Sequence, residues 1–235
     1  MQDSNKKIRQ LYPIELSLED SSCLIVGFGA VGRRKLAGLL PCSPAAILVL
    51  DLLPFSAIPP ETAQLFARHN ISYAQRLCLE EDILDKTLVF ACTSDPGENM
   101  RISRICKRHS ILCNLANMPD KGSFQLPAVV RQDGVILTVS TGGASPALAC
   151  SWRDELSSWL DQRVGMAVFM GRLRQLVFKL QQSSAQNKKL FHQVVDGPLS
   201  SLLRNGDKEL CQQYLRSLLP GNLHGYIAEL LDDLP

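Results

Sequence analysis

The sequence predicts an α/β protein in which a doubly wound, mostly parallel sheet is followed by a small strand-rich region and a helical carboxyl-terminal region. Three observations carry this prediction. An apolar run enters a glycine-rich turn and then a helix; apolar runs alternate with amphipathic stretches through the first half of the chain; and the pattern then changes to a hairpin followed by helical spacing.

The glycine-rich turn is the motif G-x-G-x-x-G at Gly27–Gly32, which directly follows the apolar run Cys23–Val26. Gly27 permits a tight turn, Gly29 lets backbone N–H groups approach a pyrophosphate, and Gly32 lets the following helix lie close to the strand. A strand before the motif and a helix after it are the context that a Rossmann-like dinucleotide site requires. We therefore predict that Gly27, Gly29, Ala30, Val31 and Gly32 bind a dinucleotide.

An acidic residue follows the glycines at the expected distance. The next apolar run, Ala46–Leu50, ends in Asp51, whose carboxylate would accept hydrogen bonds from the ribose hydroxyls of the adenosine. The residues that follow, including Leu53 and Pro54, contain no Arg or Lys for a 2′-phosphate. The sequence therefore favours NAD over NADP, with Leu53 and Pro54 beside the cofactor.

Further strands and helices alternate after Asp51, as expected of parallel βαβ units. The predicted elements are a helix over 61–70, a strand over 71–74, a helical turn at 82–84, a strand over 87–92, a helix over 98–107 that starts at a Ser-Asp-Pro signal, and a strand over 111–115. Ligands bind at the carboxyl ends of such strands. Thr93, Ser94 and Asn114 lie at these ends and are predicted cofactor contacts, although such residues are also common as caps and turns.

The pattern changes after residue 123. Residues 124–131 and 135–140 are predicted strands of a hairpin, because Asp133-Gly134 between them is a typical hairpin turn. A small-residue loop at 141–145 then opens a helix at Pro146, and the rest is helical by spacing with breaks near Gly197-Pro198 and Pro220-Gly221. These amphipathic segments are predicted to face a core.

Composition indicates an ordinary globular protein. Charged residues make up 20% of the 235 residues and the net charge is +2, too small to favour nucleic acid as a partner. No apolar stretch is long enough for a membrane span, and the polar segment Met1–Gln10 lacks a signal core, so a cytoplasmic location without membrane contact is expected. The eight cysteines are predicted to be buried free thiols, the four histidines surface residues, and no metal site is expected.

Two further strings accompany the glycine turn. Cys113–Ala128 contains C-N-x-x-N-x-P and S-F-x-x-P-A, and Ser140–Ala149 reads S-T-G-G-A-S-P-A-L-A. Together with Arg33-Arg34-Lys35 after the turn, they resemble the precorrin-2 dehydrogenase family, which also forms the amino-terminal module of multifunctional siroheme synthases. The resemblance covers roughly the first 165 residues and continues loosely into the helical tail.

The resemblance implies a homodimer of three-part subunits: an NAD-binding domain at 1–115, a dimerisation region at 116–150 and a helical domain at 151–235. It implies NAD-dependent oxidation of precorrin-2 to sirohydrochlorin, on the way to siroheme or cobalamin-type products. Some family members also insert ferrous iron, whereas others leave that step to a separate chelatase. This stretch of sequence contains no methyltransferase module.

A macrocycle that carries carboxylates along its edge is expected to be bound by backbone N–H groups and by cationic side chains. The loop at the predicted helix start would supply the N–H groups, and three basic residues, one in the first string, one at the end of the first hairpin strand and one in that helix, would supply the cations. The predicted substrate contacts are Thr141, Gly142, Gly143, Ser145, Lys121, Arg131 and Arg153. A solvated surface charge is the alternative for each of the three basic residues.

One position departs from the family pattern. Asn117 stands where the family commonly has an aspartate, the residue proposed there as general base and as an aid to metal insertion. Asn117 cannot accept a proton at neutral pH, and Asp120 three residues later is a candidate for a shifted base. Three alternatives remain: dehydrogenation without a protein base, dehydrogenation with the shifted base, or binding without catalysis. We expect one of the first two, with weak or absent ferrochelatase activity.

Two other functions remain open at this point. One is a bifunctional dehydrogenase and ferrochelatase, and the other is a non-catalytic carrier that binds NAD or a tetrapyrrole and passes the pigment to a partner. A nucleic-acid-binding regulator is disfavoured by the small net charge and by the lack of a recognisable helix-turn-helix.

Overall fold

The structure is a computed structural model that describes residues 10–179 and 184–234. Its contacts divide the chain at 126/127 into two compact units, of which 11–126 is the first and the residues from 127 onward belong to the second. The polar amino terminus, on which the expectation of a missing signal segment depends, lies outside the described residues except for Gln10. The three-part division predicted from the resemblance stays a prediction.

The first unit is a five-stranded parallel sheet with helices, which confirms the predicted fold class. The strand order is β3-β2-β1-β4-β5, so the order reverses between β1 and β4. The elements are β1 Ser22–Val26, α1 Ala30–Leu39, β2 Ala46–Asp51, α2 Pro60–Arg68, β3 Ile71–Gln75, β4 Leu88–Ala91, α3 Pro96–Arg108 and β5 Leu112–Leu115. The predicted helical turn at 82–84 is a non-helical turn over 81–85.

The apolar runs form these strands because both faces of the sheet are buried. Alternate residues of β1 belong to two cores: Leu24 and Val26 pack on one side with the buried face of α3, and Cys23 and Ile25 pack on the other with α1. The register places Ile25 beside Val49 of β2 and Phe90 of β4. A parallel sheet that is covered on both faces explains why its strands read as continuous apolar runs.

The second unit begins with an antiparallel hairpin of β6 Ala128–Gln132 and β7 Val135–Val139. Asp133 and Gly134 have φ angles of 45° and 82°, as the two-residue turn predicted from the sequence requires. The prediction that the first strand begins at Phe124 was wrong. Ser123 and Phe124 instead pair with β5, since the N–H group of Ser123 donates to Cys113 O at 2.8 Å and Asn114 Nδ2 donates to Phe124 O at 3.1 Å.

Helices fill the rest of the second unit. They are α4 Pro146–Asp161, α5 Val164–Lys179, α6 Ser184–Asp196, α7 Leu199–Arg204, α8 Lys208–Leu218 and α9 Ile227–Leu230. A core that includes Phe169, Leu173, Leu199 and Leu215 joins α5, α7 and α8, which confirms that these amphipathic helices face a core. The predicted breaks near 197–198 and 220–221 are confirmed, and a further break follows Arg204, where Gly206 has a φ of 70°.

The cysteines and histidines agree with the sequence prediction, except that three of the cysteines are not buried. All eight cysteines are thiols rather than halves of disulfides, and the four histidines are exposed. Burial was predicted for every cysteine, but Cys150 is exposed on α4, next to the buried Ala149, and Cys42 and Cys92 are half-buried. Within residues 10–179 and 184–234, no three His, Cys, Asp or Glu side chains lie close enough together to hold a metal ion, and no helix is both long and apolar enough to cross a bilayer.

An ion pair between the exposed Arg76 and the buried carboxylate of Asp82 stabilises the segment between β3 and β4, and it predicts a pH-dependent stability. The carboxylate of Asp82 is 8% exposed and accepts from Arg76 Nη1 at 2.6 Å, from Arg76 Nη2 at 2.7 Å and from the N–H group of Leu79 at 2.8 Å. The Arg76 guanidinium, with help from the Leu79 N–H group, holds the pKa of Asp82 below its usual value. A lowered pKa in the folded state stabilises the fold above the unfolded-state pKa of about 3.9, and this contribution is lost as the pH falls through the folded-state pKa.

We therefore expect Asp82→Asn to lower the free energy of unfolding by roughly 1–3 kcal/mol near neutral pH, and by progressively less in acid. Urea unfolding across a pH series measures this difference. The exposed neighbour Glu81 is the control, since Glu81→Gln removes a surface carboxylate and should change stability by less than about 0.5 kcal/mol. Equal effects of the two substitutions at neutral pH would contradict the account.

Candidate functional site

The glycine turn has the geometry that its sequence predicts. Gly27 has a φ of 89°, and a Cβ atom built on it would lie 2.6 Å from Cys92 C and from Thr93 N. A Cβ on Gly32 would lie 2.1 Å from Gly27 O. These contacts exclude a side chain at either position, because α1 lies directly on the turn and the turn lies directly on the end of β4.

Gly29 differs from its two neighbours in the motif. A Cβ atom built there meets nothing within 4 Å, and the residue is exposed at the start of α1. No side chain caps this helix, and its N-cap is Gly29 itself. The first N–H groups of α1, which include those of Ala30 and Val31, have no acceptor within the helix and lie next to this open position at its N-terminus. Such a position suits an anionic group such as a pyrophosphate.

Asp51 is held across the turn by backbone hydrogen bonds. Its carboxylate accepts from the N–H group of Phe28 and, at 2.8 Å, from the N–H group of Leu53. Leu53 and Pro54 lie exposed beside it, and Tyr73 Oη donates to Leu53 O at 2.6 Å. Burial and the nearby Asp51 raise the pKa of Tyr73, so its hydroxyl stays protonated as a donor. The side chain of Asp51 is thus fixed at the carboxyl end of β2, one strand away from the switch point.

The residues after β4 form a second fixed loop. Thr93 is half-buried, Ser94 is exposed, and Asp95 caps α3 by accepting from the N–H group of Gly97 at 2.7 Å. This confirms the helix start that the Ser-Asp-Pro signal predicts. The Gly27 contacts place Thr93 next to the glycine turn, and its assignment and that of Ser94 as cofactor contacts remain predictions.

Asn99 organises this loop, and the sequence prediction missed it. Its side chain is 0% exposed. Its Oδ1 accepts from the N–H group of Thr93 at 3.1 Å and lies 2.8 Å from Thr93 Oγ1. Its Nδ2 donates to Thr93 O at 2.9 Å and to Asn117 Oδ1 at 3.3 Å. A signal was present, since Asn99 shares the spacing of Ile102, Ser103 and Cys106 on the buried face of α3 and is polar there.

Asn117 is exposed two residues beyond β5, and its Oδ1 is the atom that Asn99 contacts. Asp120 lies exposed on the short 3₁₀ turn Pro119–Lys121. Lys121 is exposed as well, and its carbonyl oxygen accepts from Ser103 Oγ at 3.3 Å. The structure therefore joins Asn117 to Thr93 through Asn99, while Asp120 and Lys121 belong to the neighbouring turn.

Asn114 is 4% exposed within β5. Its Nδ2 donates to Phe124 O at 3.1 Å, and its Oδ1 has no hydrogen-bond partner among the described residues. The Asn114 amide thus holds the segment that contains Phe124 against the sheet. Its predicted contact with the cofactor stays a prediction.

Cys92 lies between the glycine turn and Thr93. Burial raises the pKa of its thiol to about 11, although nearby Lys35 opposes the rise. The thiol is therefore protonated at neutral pH, and a thiolate nucleophile is not available at this position.

The remaining predicted residues lie in the second unit. Thr141 and Ser145 close the loop, because Thr141 Oγ1 donates to Ser145 O at 3.1 Å and accepts from the N–H group of Ser145 at 3.2 Å. Gly142 and Gly143 between them have φ angles of 61° and 85°, and Ser145 caps α4 by accepting from the N–H group of Leu148 at 3.1 Å. The loop is thus a rigid helix start with exposed glycines.

The two predicted arginines of this unit differ in exposure, since Arg131 is exposed and Arg153 is half-buried. Arg131 is on β6. Arg153 on α4 lies 2.6 Å from Asp154, whose carboxylate raises the pKa of the guanidinium. A substrate carboxylate at Arg153 would compete with this surface pair, which is worth little in water.

Comparison with known proteins agrees with this geometry. Residues 14–128 match the family described as "Putative NAD(P)-binding". The siroheme synthase of Nitrosospira multiformis is 29% identical over 204 residues, which are 86% of this chain and 43% of that protein. The siroheme synthase of Escherichia coli is 31% identical over 210 residues, 88% of this chain and 45% of that protein. The chain is thus similar in sequence to siroheme synthases over most of its own length.

The chain spans less than half the length of the curated relatives it matches. Among solved structures, the precorrin-2 dehydrogenase SirC has the same fold, with a TM-score of 0.71 over 88% of this chain and 98% of that chain at 24% identity. The sequence relatives support the family resemblance, and the solved structure confirms the predicted fold class.

Proposed function

We propose that this protein is an NAD-dependent precorrin-2 dehydrogenase that produces sirohydrochlorin. The observation that carries the proposal is the dinucleotide turn. It contains all three glycines of the motif, and the Asp51 carboxylate beside it is held by hydrogen bonds from the backbone N–H groups of Phe28 and Leu53. The relationship to siroheme synthases and the shared fold with a precorrin-2 dehydrogenase support the choice of substrate.

The cofactor half of the site follows from the first unit. The open space at Gly29 and the N–H groups at the start of α1 bind the pyrophosphate, and the remaining lone pairs of Asp51 accept from the ribose hydroxyls. A 2′-phosphate would meet the Asp51 carboxylate instead of a cation, so NAD is preferred over NADP. NAD supplies the hydride acceptor, and the balanced reaction yields sirohydrochlorin, NADH and a proton from precorrin-2 and NAD⁺.

The substrate half combines N–H groups and cations. We assign the loop of Thr141, Gly142, Gly143 and Ser145 to the carboxylates of the macrocycle, together with Lys121, Arg131 and Arg153. A homodimer is part of the proposal.

The proton that leaves the macrocycle goes to water or to Asp120, since the amide of Asn117 has no basic lone pair at neutral pH. For the same reason we propose that ferrous iron is inserted weakly or not at all, and that sirohydrochlorin passes to a separate chelatase.

The test is an anaerobic absorbance assay with precorrin-2 and NAD⁺, followed by addition of ferrous iron. Equimolar NADH and sirohydrochlorin are expected, with little change when iron is added. Rapid iron insertion would identify a bifunctional dehydrogenase and ferrochelatase. A spectral shift without NADH would identify a carrier and contradict the proposal.

The NAD preference gives a separate prediction. We expect Asp51→Asn to reduce the ratio of NAD affinity to NADP affinity by about tenfold, because one charge and one strong acceptor for the ribose are removed. Titration calorimetry with both dinucleotides measures the ratio. Glu61→Gln removes an exposed carboxylate at the start of α2 and serves as the control, since it should leave the ratio unchanged. An unaltered ratio in Asp51→Asn would refute the assigned role of Asp51.

A further inference from the structure

The amide orientation of Asn99 is fixed by the backbone of Thr93. A backbone N–H group can only donate and a backbone carbonyl can only accept, so the contacts of 3.1 Å and 2.9 Å with Thr93 leave one arrangement. Oδ1 of Asn99 faces the Thr93 N–H group, and Nδ2 faces the Thr93 carbonyl. If the amide were reversed, Nδ2 would face the Thr93 N–H group and Oδ1 would face the Thr93 carbonyl. A donor would then face a donor, and an acceptor would face an acceptor, inside a site that excludes water.

This arrangement also decides the orientation of Asn117. The second hydrogen of Asn99 Nδ2 is directed to the side chain of Asn117 at 3.3 Å, and only the oxygen of that amide can accept it. Nδ2 of Asn117 is therefore turned away from Asn99. Asn117 is exposed, and none of the described residues accepts a hydrogen bond from this Nδ2.

We propose that Asn99 is a positioning residue that fixes the Asn117 amide as a hydrogen-bond donor toward the substrate, where it binds a carboxylate oxygen of the macrocycle. The proposal rests on the proposed function for its substrate and on the structure alone for the orientation. Asn117 then serves in substrate binding through its N–H groups, rather than as an acceptor or a base. Thr93 links the same network to the glycine turn, so the cofactor loop and the donor share one support.

The orientation can be tested without any enzyme activity, through the carboxyl group that Asn117→Asp introduces. With Asn99 in place, its Nδ2 donates to the charged form, so the pKa of the new carboxyl lies below the ordinary value of about 3.9. In the double variant Asn99→Ser/Asn117→Asp this donor is absent and the pKa is higher. Carbon-detected NMR titration measures both values, with Asn70→Ser/Asn117→Asp as a control that removes an amide bound to the distant Ala45 carbonyl.

An equal pKa with and without Asn99 would overturn the proposal. If the double variant does not fold, the single variant still decides, because a pKa at or above about 3.9 with Asn99 present would also overturn it.

The function of the oriented amide is tested by a double-mutant cycle on precorrin-2 oxidation. We expect Asn117→Ala to raise KM for precorrin-2 by about tenfold with a smaller effect on kcat, and Asn99→Ser to have a similar effect. In the Asn117→Ala background, Asn99→Ser should add less than about twofold, because the residue through which it acts is gone. A full additional loss in that background would show that Asn99 acts through Thr93 or the fold alone.

The two arms separate the possible failures. If the wild-type protein does not oxidise precorrin-2, the proposed function fails while the NMR titration still reports on the Asn99–Asn117 contact. If oxidation is observed but the titration shows no effect of Asn99, the positioning proposal fails and the proposed function stands.

Discussion

Gly32→Ala is expected to weaken NAD binding by about 10- to 100-fold and to lower the free energy of unfolding by roughly 1–3 kcal/mol. The added methyl group would lie 2.1 Å from Gly27 O, a backbone atom that belongs to the turn itself. The clash is relieved only if α1 moves away from the turn, and this movement displaces the N–H groups that face the pyrophosphate. Titration calorimetry with NAD and urea unfolding measure the two effects.

Gly38→Ala provides a matched control in the same helix. A Cβ atom at Gly38 meets nothing within 4 Å, so the substitution should leave NAD binding unchanged and stabilise the protein by about 0.5–1 kcal/mol through helix propensity. Similar NAD affinities for Gly32→Ala and the wild-type protein would contradict the assignment of this turn to the dinucleotide.

Asn117→Asp is expected to raise kcat for precorrin-2 oxidation by about 10²-fold and to introduce iron insertion, because it supplies the carboxylate base that the family commonly has at this position. The same substitution should raise KM for precorrin-2, since a carboxylate replaces the amide donor and repels the carboxylates of the substrate. Both effects should appear as the pH rises through the pKa of the new carboxyl and fade below it. Steady-state kinetics across a pH series separates kcat from KM.

Asp120→Asn distinguishes the two mechanisms that remain for the wild-type protein. If Asp120 is the shifted base, this substitution lowers kcat in the wild-type background and has little effect in the Asn117→Asp background. If water takes the proton, neither background responds. A wild-type protein that inserts iron rapidly would contradict our account of Asn117.

Local sequence was sufficient for much of the fold and of the dinucleotide turn. Gly27 and Gly32 lie so close to backbone atoms that no side chain fits at either position. Asp133-Gly134 adopts the positive φ angles that define its turn. The contact of Gly27 with Cys92 and Thr93 is long-range, whereas the contact between Gly32 and Gly27 and the positive φ angles of Gly27, Asp133 and Gly134 are local, so short motifs contain them. Asp51 was predictable for a related reason, since one βαβ unit fixes its distance from the turn.

The features that were missed depend on contacts between distant elements. The first strand of the hairpin was predicted to begin at Phe124, but the amide of Asn114 on β5 binds the Phe124 carbonyl and keeps that segment with the sheet. Asn99 is a polar residue on the buried face of α3, a local signal that indicates burial but does not identify its partners. Its role became visible only when the loop after β4 and the loop after β5 were brought together around it.

The proposed function depends on one reaction, the anaerobic oxidation of precorrin-2 by NAD⁺ in the presence of the wild-type protein, with NADP⁺ compared in parallel. We expect equimolar NADH and sirohydrochlorin, with a much slower reaction when NADP⁺ replaces NAD⁺. Tight binding of precorrin-2 without formation of NADH would contradict the proposed function.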